Sequence, residues 1–505
     1  MTTNFSSVDW RPIHHNLKRM ILTITIVLLL LFLWLPKPAF AFDTGHHSDV
    51  TREALQNEGF QETPIKIVQV ENWLVDYYSN WPVDQLPSTQ IIEEAKKESD
   101  KLHFDNLFTT EDIRNYWMWL TLNTNEAVEQ AVRKKDPLNL LTILGISLHG
   151  VQDFYSHSNW VEKHSSSDGN SYSSATWFDS PRDTTSQLKL YTGAYPAELD
   201  KEKEPHGKYE KGLNKDSYVC KNWDQAYVSA YAASRQWVNA VHKWVNEVDR
   251  DFWSEVQNYS ADETALNKDL KAAYDISLLV DVSGDDGHWK GNGSGNVLSF
   301  GIKIGEWLKD KDSPFVKEFK KFPSSLGPLV KGLKSDGSDI DPPSLPPDSQ
   351  LTVPQITLNQ KAIIVKTERV ENVKGSSWIA KKLGADSAFY AKIKVNGQTF
   401  IEAVQRNQAK ISPAWTTIKF VPSETAEVPI VYELWDQNLS KKDDTHFNIS
   451  NKNNGNLDFK FAVSSHENTG DITGIYDRPE NAVTSEGSAS DRAKITFYVT
   501  ERSLK

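Results

Sequence analysis

The apolar residues of this chain change their spacing near residue 352, and that change constrains the fold more than any other feature. Before it, apolar residues recur every three to four positions, as in DPLNLLTILGISLHGVQDFYSH over 136–157, which is typical of packed helices. After it, segments such as KAIIVKTERV and KITFYVT alternate apolar and polar residues, which is typical of strands. The sequence therefore predicts a multidomain protein in which an all-α domain precedes a β-sandwich.

Three segments of the first part predict long helices. In the segment 136–157, Asp136 is the expected N-cap and Pro137 occupies the first helical position, where its missing N–H costs nothing. A second helix is expected from residue 223 to about 253 and a third over 65–78, because both show apolar residues at helical spacing.

The first 41 residues predict a secretory signal peptide. An uncharged apolar run over 20–36 follows Arg11, Lys18 and Arg19, and KPAFA offers an A-x-A cleavage site ending at Ala41. An uncleaved membrane anchor is the alternative, although the run is slightly short for a bilayer. We therefore expect an exported protein, periplasmic or extracellular, either free or associated with a membrane.

The rest of the chain divides where its composition changes. We expect a helical metal domain over 42–265, an extension of it over 266–334, a Pro/Ser/Asp-rich linker over 335–351 and the β-sandwich over 352–505. The glycine-rich segment SGDDGHWKGNGSGN in the extension is either a further ion site or an ordered surface turn. No internal repeat is found.

The net charge of the chain limits the kinds of molecule that it is expected to bind. The net charge is −12, and it becomes −15 without the four basic and one acidic residues of the signal peptide. So acidic a surface does not suit long duplex nucleic acid, which needs a basic track, but it is compatible with metal cations. Cys220 is the single cysteine, which excludes an internal disulfide and a thiolate cluster. Any metal must therefore be bound through nitrogen and oxygen.

The histidines concentrate in the predicted helical domain, where eight of the 13 fall between residues 46 and 242. In LHGVQDFYSHSNWVE, His149 and Asp153 are four residues apart, so they share one helix face as two ligands of one ion must. His157 lies about 80° round the helix from His149 and can reach an adjacent ion. Spacing alone leaves metal binding and a chance arrangement both open. Polar neighbours that can orient such ligands are Gln152, Ser156 and Asn159, whereas His164 and His242 are expected to be ordinary surface or core residues.

The same segment resembles the signature of the Het-C family and its bacterial relatives. Five further segments fit the same group, so that the likeness covers about residues 42–300. They are VENWLVDYYS, FDTGHHSDVTREAL, HFDN, HG followed by GLNKDS, and DGHWKG. That group in turn resembles the zinc-dependent phospholipases C and the single-strand-specific zinc nucleases. In those enzymes an all-helical domain holds three zinc ions.

The resemblance implies two or three zinc ions in the helical domain, with Asp76 and Asp153 in the catalytic centre and Asp153 placed to bridge two ions. The implied ligands are Phe42 through its α-amine, either His46 or His47, Asp76, His103, His149, Asp153, His157, His206, and either Glu210 or Asp216. This chain departs from the enzymes at Phe42, where they usually have Trp. Glu210 lies in an inserted segment, KYEK, so Asp216 competes for its role.

The function implied by this resemblance is a secreted zinc-dependent phosphodiester hydrolase of the phospholipase C type, acting at membrane lipid. One alternative is a non-catalytic, membrane-associated recognition protein of the Het-C kind, in which the metal is structural or lost. Another is a zinc-dependent nuclease, which would need base-stacking aromatics beside the metals, such as Trp73, Tyr155 or Trp160. The expected partners are a phospholipid surface and a phosphodiester substrate, and no protein partner is predicted.

The C-terminal part resembles a C2 domain in two segments, GADSAFYAKIKVNG over 384–397 and VYELWDQNLSKKDD over 431–444. In C2 domains, aspartates of these two loops bind calcium, and the loops then contact phospholipid; oxygen ligands suit this hard cation. The matching acids are Asp386, Asp436, Asp443 and Asp444. Ala388 and Gln437 stand where the family often has further acids. A C2-like sandwich that binds calcium weakly or not at all is therefore the alternative.

Overall fold

The computed structural model describes residues 44–79, 90–164, 171–179, 188–195, 203, 212–218, 220–260, 314–344, 352–373, 389–402, 405, 409–436, 444–451, 455–488 and 491–505. All the elements below belong to one compact unit, Ala39–Lys505. The predicted signal peptide and the glycine-rich segment lie outside the described residues. Within them, no helix is both long and apolar enough to cross a bilayer.

The N-terminal part is helical, as predicted. Its described α-helices are α1 Thr44–Asn57, α2 Glu62–Ser79, α3 Gln90–Ser99, α4 Thr110–Arg133, α5 Pro137–His157, α6 Trp160–His164, α7 Trp223–Val248, α8 Phe252–Gln257 and α9 Pro314–Leu329. The predicted helix over 223–253 is two helices, because the chain becomes extended at Asp249 before α8 begins. The helices α1, α3, α4, α6 and α9 were not predicted individually.

Helix α5 is the centre of this helical part. It begins as predicted, with the Asp136 side chain accepting a hydrogen bond from the Asn139 amide and Pro137 in the first turn. Helices α1, α2, α4 and α7 pack around it, and every residue from Leu140 to His157 is buried. A helix enclosed on all sides normally carries apolar residues all round. The polar residues in the C-terminal half of α5 therefore need partners inside the protein.

Gly145 sets the distance between α5 and α2. A Cβ atom at this position would lie 2.6 Å from the Glu71 Cβ and 2.7 Å from the Val68 carbonyl oxygen, closer than packed atoms tolerate. We expect Gly145→Ala to force the two helices apart and to cost about 1–3 kcal/mol of stability, as overpacking does. The thermal midpoint would show this loss. Gly327→Ala in α9 is the matched control, because nothing lies within 4 Å of that position; equal midpoints for the two variants would contradict the close approach.

The C-terminal part consists of strands, as predicted. Strand β1 Ser171–Tyr172 comes from the helical part of the chain. It is followed by β2 Gln360–Asn372, β3 Phe389–Val395, β4 Gln398–Ile401, β5 Lys410–Ile411, β6 Thr416–Pro422, β7 Glu427–Asp436, β8 Thr445–Phe447, β9 Leu457–Ala462, β10 Glu467–Gly470, β11 Gly474–Ile475, β12 Val483–Glu486 and β13 Ala493–Leu504. The segments KAIIVKTERV and KITFYVT, which predicted strands, lie in β2 and β13.

The strands form two sheets that pack face to face. One sheet has the order β1-β13-β2-β5, with β12 beside β13 and β6 beside β2; the other has the order β11-β10-β9-β7-β3-β4, with β8 beside β7. Between the sheets, the Thr367 hydroxyl lies 2.8 Å from the Tyr432 hydroxyl, and the rings of Tyr432 and Phe497 are 5.3 Å apart. The described strands thus build a β-sandwich.

The opposite face of the first sheet packs against the helical part. The ring of Tyr231 in α7 stacks on Phe420 of β6 at 3.8 Å, and its hydroxyl donates to Gln360 Oε1 at 2.7 Å. Strand β1 pairs in parallel with the end of β13, matching Tyr172 with Leu504. The two parts therefore share a packed interface and one continuous sheet.

The described part of the predicted linker, 335–344, lies against α4. Asn115 Nδ2 donates to the Ile340 carbonyl at 2.7 Å, Trp119 Nε1 donates to the Asp341 carbonyl at 2.7 Å, and the Ile340 side chain is buried. Since its backbone carbonyls are hydrogen-bonded to α4, this stretch is anchored to the helical part and does not act as a loose spacer.

Candidate metal centre

Five of the predicted ligands meet beside α5. They are His47 from α1, Asp76 from α2, His103 from the turn after α3, and His149 and Asp153 from α5 itself. All five side chains are buried, and His149 and Asp153 have no exposed surface. We call this set the His/Asp cluster.

Asp153 is the centre of the His/Asp cluster. Its Oδ1 atom lies 3.1 Å from His47 Nε2, and its Oδ2 atom lies 3.0 Å from both His103 Nδ1 and His149 Nε2. His149 Nε2 is also 3.7 Å from Asp76 Oδ1. One carboxylate thus contacts three imidazole rings, two of which come from other segments of the chain.

Two subsets of the cluster have the spacing of ligands around one ion. In the set His47, Asp76 and His149, and in the set His103, His149 and Asp153, one donor atom from each residue lies within 4.8 Å of the others. His149 belongs to both sets. These buried groups can therefore hold a metal ion, through nitrogen and oxygen as the single cysteine requires.

Two amide side chains orient the histidines. His149 Nδ1 lies 3.2 Å from Asn72 Oδ1, and His47 Nδ1 lies 2.6 Å from Gln152 Oε1. The Gln152 amide nitrogen donates to Thr51 and Ser234 at 3.0 and 3.2 Å, which turns its oxygen toward His47. Each Nδ1 therefore carries a proton, and each Nε2 faces into the cluster. Metal-binding histidines are oriented in this way.

The charges of the cluster follow from its burial. Burial lowers the pKa of His149 to about 3, although Asp153 acts in the opposite direction. Burial would raise the pKa of Asp153, but the adjacent rings of His149, His47 and His103 outweigh it and hold that pKa well below its usual range. A neutral imidazole facing an ionised carboxylate is the protonation state that a cation needs.

His103 has one ring nitrogen without a role in the described contacts. Its Nδ1 faces Asp153, whereas its Nε2 is buried and makes no hydrogen bond within the described part of the chain. A buried nitrogen without a partner is costly. His103 can therefore contribute a further ligand atom on the side of the cluster away from α5.

His157 belongs to a neighbouring group of charges. Its Nε2 lies 3.1 Å from Asp216 Oδ1, its Nδ1 lies 3.4 Å from Asp105 Oδ1, and Nδ1 donates to the His103 carbonyl. Burial disfavours the charged ring, but Asp105, Asp216 and Asp153 outweigh it and raise the pKa of His157 to about 10. The carboxylates approach opposite nitrogens, so one ion cannot be held by both together with this ring. His157 is here an imidazolium between two acids.

The structure distinguishes His46 from His47, which the sequence left open. His46 lies one residue earlier in α1, and its ring packs against Trp223 at 4.7 Å and Tyr218 at 5.7 Å. Burial, with His47 adding to it, lowers the pKa of His46 to about 3. His47 is the one that reaches Asp153.

Two residues of the site were not predicted, Asn72 and Asp105. Both lie in segments that carried the family resemblance, VENWLVDYYS and HFDN. Asn72 stands four residues before Asp76 on the same helix, so helical spacing could have identified it, whereas Asp105 lies outside a helix. The backbone is left-handed at Phe104 and Asn106, with φ of 53° and 65°. This turn directs Asp105 toward His157. Of the predicted orienting residues, Gln152 acts on the cluster, whereas the side chain of Asn159 donates to the Lys189 carbonyl.

The predicted calcium ligands lie only partly within the described residues. Asp436 ends β7, where it pairs with Phe389 and Thr445. Asp444 precedes β8 and accepts a hydrogen bond from the Tyr390 hydroxyl at 2.8 Å. Both acids therefore lie at the same end of the sandwich. Outside the described residues lie Asp386 and Asp443, as do the predicted ligands Phe42, His206 and Glu210.

Comparison with known proteins gives one family match. Residues 86–175 match the VWA7 N-terminal domain, a stretch that includes α4, α5, and the cluster members His103, His149 and Asp153. No curated protein matches the chain.

Comparison with solved structures gives only distant likeness. Human GIVD cytosolic phospholipase A2 in complex with methyl gamma-linolenyl fluorophosphonate has a TM-score of 0.19 and 7% identity, over 29% of this chain and 17% of that one. The paired C2 domains of Extended-Synaptotagmin 2 have a TM-score of 0.19 and 13% identity, over 31% and 47% of the two chains. A structure of the same protein that also contains its SMP domain has a TM-score of 0.19 and 14% identity, over 39% and 38%. This chain spans less than half of each of these structures.

Proposed function

We propose that this protein is an exported, zinc-dependent phosphodiester hydrolase of the phospholipase C type that acts at membrane lipid. The observation that carries the proposal is the His/Asp cluster, in which two imidazoles whose Nδ1 atoms face amide oxygens direct Nε2 toward an ionised aspartate. The Het-C-like segments of the sequence supply the reaction type, since they contain every residue of this cluster.

The donors of the cluster suit zinc. Nitrogen and oxygen ligands lie about 2.0–2.2 Å from zinc in a tetrahedral site, which separates two ligands by about 3.3–3.6 Å. The donor pairs around Asp153 are 3.0–3.1 Å apart, and His149 Nε2 is 3.7 Å from Asp76 Oδ1. Small shifts of side chains would bring these atoms to ligand distances. Calcium and magnesium prefer sites made of oxygen, so three imidazoles favour zinc.

The chain's own residues would have distinct roles in hydrolysis. His47, His149 and Asp153 would hold the ion, with Asp76 and His103 completing its shell or holding a second ion. Bound zinc lowers the pKa of a water molecule to about 7 and polarises a phosphoryl oxygen. Asn72 and Gln152 would keep both Nε2 atoms directed at the metal. The imidazolium of His157 would stay paired with Asp105 and Asp216 beside the cluster.

The sandwich supports lipid as the substrate. Asp436 and Asp444 lie at one end of the sandwich, which is where the C2-like sequence segments place calcium ligands. A calcium-dependent contact with phospholipid would raise the local concentration of substrate at the helical part.

A structural metal is the second candidate function, and one observation favours it. His47, His149 and Asp153 have no exposed surface, and zinc sites that serve only stability are closed in this way. The protein would then be a membrane-associated recognition protein of the Het-C kind.

Metal content and hydrolysis, measured on the same purified protein, test the proposal. We would determine zinc per chain by elemental mass spectrometry and identify the N-terminal residue by mass spectrometry. Hydrolysis would be assayed on phosphatidylcholine vesicles with and without a chelator, and on single-stranded DNA. His164→Gln is the matched control, because this ring stacks on Trp160, outside the cluster.

Each outcome selects among the candidates. Zinc with chelator-sensitive hydrolysis of phospholipid supports the hydrolase. Hydrolysis of DNA alone would favour the nuclease. Zinc without hydrolysis, together with a lower thermal midpoint after chelation, supports the structural role. Protein without zinc that stays inactive when zinc is added would overturn both metal-dependent functions.

A further inference from the structure

A polar cleft lies where the outer face of the first sheet meets the helical part. It has a volume of about 280 Å³, and its walls come from the segment 218–224, from β1, β2, β6 and β13, and from the turn 477–479. This volume is near the lower end of about 300–1,000 Å³ that is usual for small-molecule sites. The cleft contains no residue of the His/Asp cluster.

The register of the sheet explains why cations line the cleft. Lys366 of β2 pairs with Tyr498 of β13, and Ile364 pairs with Thr500. Side chains two residues apart on a strand share a face, so Lys366, Tyr498, Thr500 and Arg502 all lie on the outer face. At Gln360, the outer face of the sheet packs against α7. At Ile364 and Lys366 of the same strand, the outer face lines the cleft.

Two of the three cations of the cleft have no acidic partner. The Lys366 side chain makes no hydrogen bond or ion pair with any described residue. Arg502 donates to the Thr500 hydroxyl at 3.2 Å and to the Glu501 carbonyl at 2.9 Å, and it pairs with no described carboxylate. The third cation, Arg478, lies 3.0 Å from Asp477 Oδ1.

Each of the two acids of the cleft already accepts hydrogen bonds. Asp224 accepts a hydrogen bond from the Tyr172 hydroxyl at 2.6 Å, and Asp477 accepts from Arg478, Asn481 and His466. The lining therefore carries one positive charge in excess, from three cations and two carboxylates, in a protein whose net charge is −12. Half-buried cations without partners attract an anion.

We propose that this cleft binds the phosphate group of a small organic phosphate. A phosphate monoester carries about −1.5 to −2 charges near pH 7 and would pair with Lys366 and Arg502, and a guanidinium binds phosphate oxygens through two parallel hydrogen bonds. The rings of Tyr172, Trp223 and Tyr498 would cover the organic part. The phosphate can come from a free metabolite or from a lipid headgroup, and this inference does not depend on the hydrolase activity.

Calorimetry on the full chain tests the site. The probes are glycerol 3-phosphate, inorganic phosphate, and phosphatidylcholine vesicles with and without phosphatidic acid. We expect binding that Lys366→Gln and Arg502→Gln each weaken at least tenfold, as the loss of a charged hydrogen bond predicts. Lys366→Arg should keep most of the affinity. Lys361→Gln is the matched control, because this residue lies on the same strand and is absent from the lining.

The results separate the sources of phosphate and the alternative sites. Binding of glycerol 3-phosphate that Lys366→Gln weakens supports a free organic phosphate. Binding confined to vesicles with phosphatidic acid, and weakened in the same way, supports a lipid headgroup. Binding that persists in Lys366→Gln but is lost in Asp153→Asn would place phosphate at the His/Asp cluster and overturn the proposal, as would no binding to any probe. Thermal midpoints identify a variant that fails to fold, in which case the other variant decides.

Discussion

Replacing Asp153 with asparagine should abolish zinc binding at the His/Asp cluster. The carboxylate faces His47 through Oδ1 and faces His103 and His149 through Oδ2, all at 3.0–3.1 Å. Asparagine keeps the shape but loses the charge, and its NH₂ group would face an imidazole lone pair. Loss of a ligand's hydrogen-bond partner alone costs about 10–100-fold in metal affinity, so we expect a larger loss here.

Zinc stoichiometry and thermal stability give two independent readouts of this change. The wild-type midpoint should rise with added zinc, because an ion that binds only the folded protein stabilises it. The Asp153→Asn midpoint should not respond. Asp251→Asn is the matched control, since this acid is exposed at the start of α8. Full zinc content in Asp153→Asn, with an unchanged response to zinc, would show that the ion lies elsewhere.

The central helix of the site could be predicted because its signals are local. Asp136 and Pro137 mark its start, and the spacing of His149 and Asp153 places both on one face. These features act within a few residues of each other, so they can be recognised without knowledge of the tertiary structure. The strands could be predicted for the same reason, because the alternation of apolar and polar residues depends only on which face of the sheet is buried.

The choice between His46 and His47 could not be predicted, because the two rings differ only in direction around α1. The contact of His46 with Trp223 and the contact of His47 with Gln152 both depend on how distant helices pack. Asp105 was missed for a related reason, since its direction is set by left-handed backbone on either side.

Helix α4 was missed because buried polar residues interrupt its apolar face, which runs through Ile113, Trp117 and Leu120 and resumes at Val128. Asn115 and Asn123 are buried in this helix, and they donate to backbone carbonyls at 340 and 329. A pattern search treats such residues as exposed, so the helical period of the apolar residues is interrupted. Only the fold shows that these amides serve the backbone of the segment that follows α9.

Replacing Lys419 with methionine should destabilise the interface between the helical part and the sandwich by about 3–5 kcal/mol, the usual result of leaving one charge of a buried pair without its partner. Lys419 Nζ lies 2.6 Å from Glu53 Oε1 of α1 and 2.9 Å from Gln398 Oε1 of β4. The Glu53 side chain has no exposed surface. Without Lys419, its carboxylate would be buried near Asp49, and no other cation of the described residues acts on it.

The effect should depend on pH. Burial raises the pKa of Glu53 above its ordinary value, and Lys419 acts against this rise, so removing Lys419 raises the pKa further. A carboxyl with a raised pKa in the folded state contributes stability below about pH 4.5, and this stability is lost as the pH rises through the folded value. The Lys419→Met protein should therefore approach wild-type stability near pH 4.5 and fall increasingly below it toward neutral pH.

A double variant separates the lost pair from the lost packing. Glu53→Gln combined with Lys419→Met removes both charges, so it should recover most of the stability at neutral pH. Lys460→Met is the matched control, because its pair with Glu427 is exposed and should contribute little. If the double variant were as unstable as Lys419→Met at every pH, packing of the lysine stem would explain the loss. If the double variant recovers its stability, the pair of Glu53 and Lys419 stabilises the contact between the sandwich and α1, the helix that carries His47.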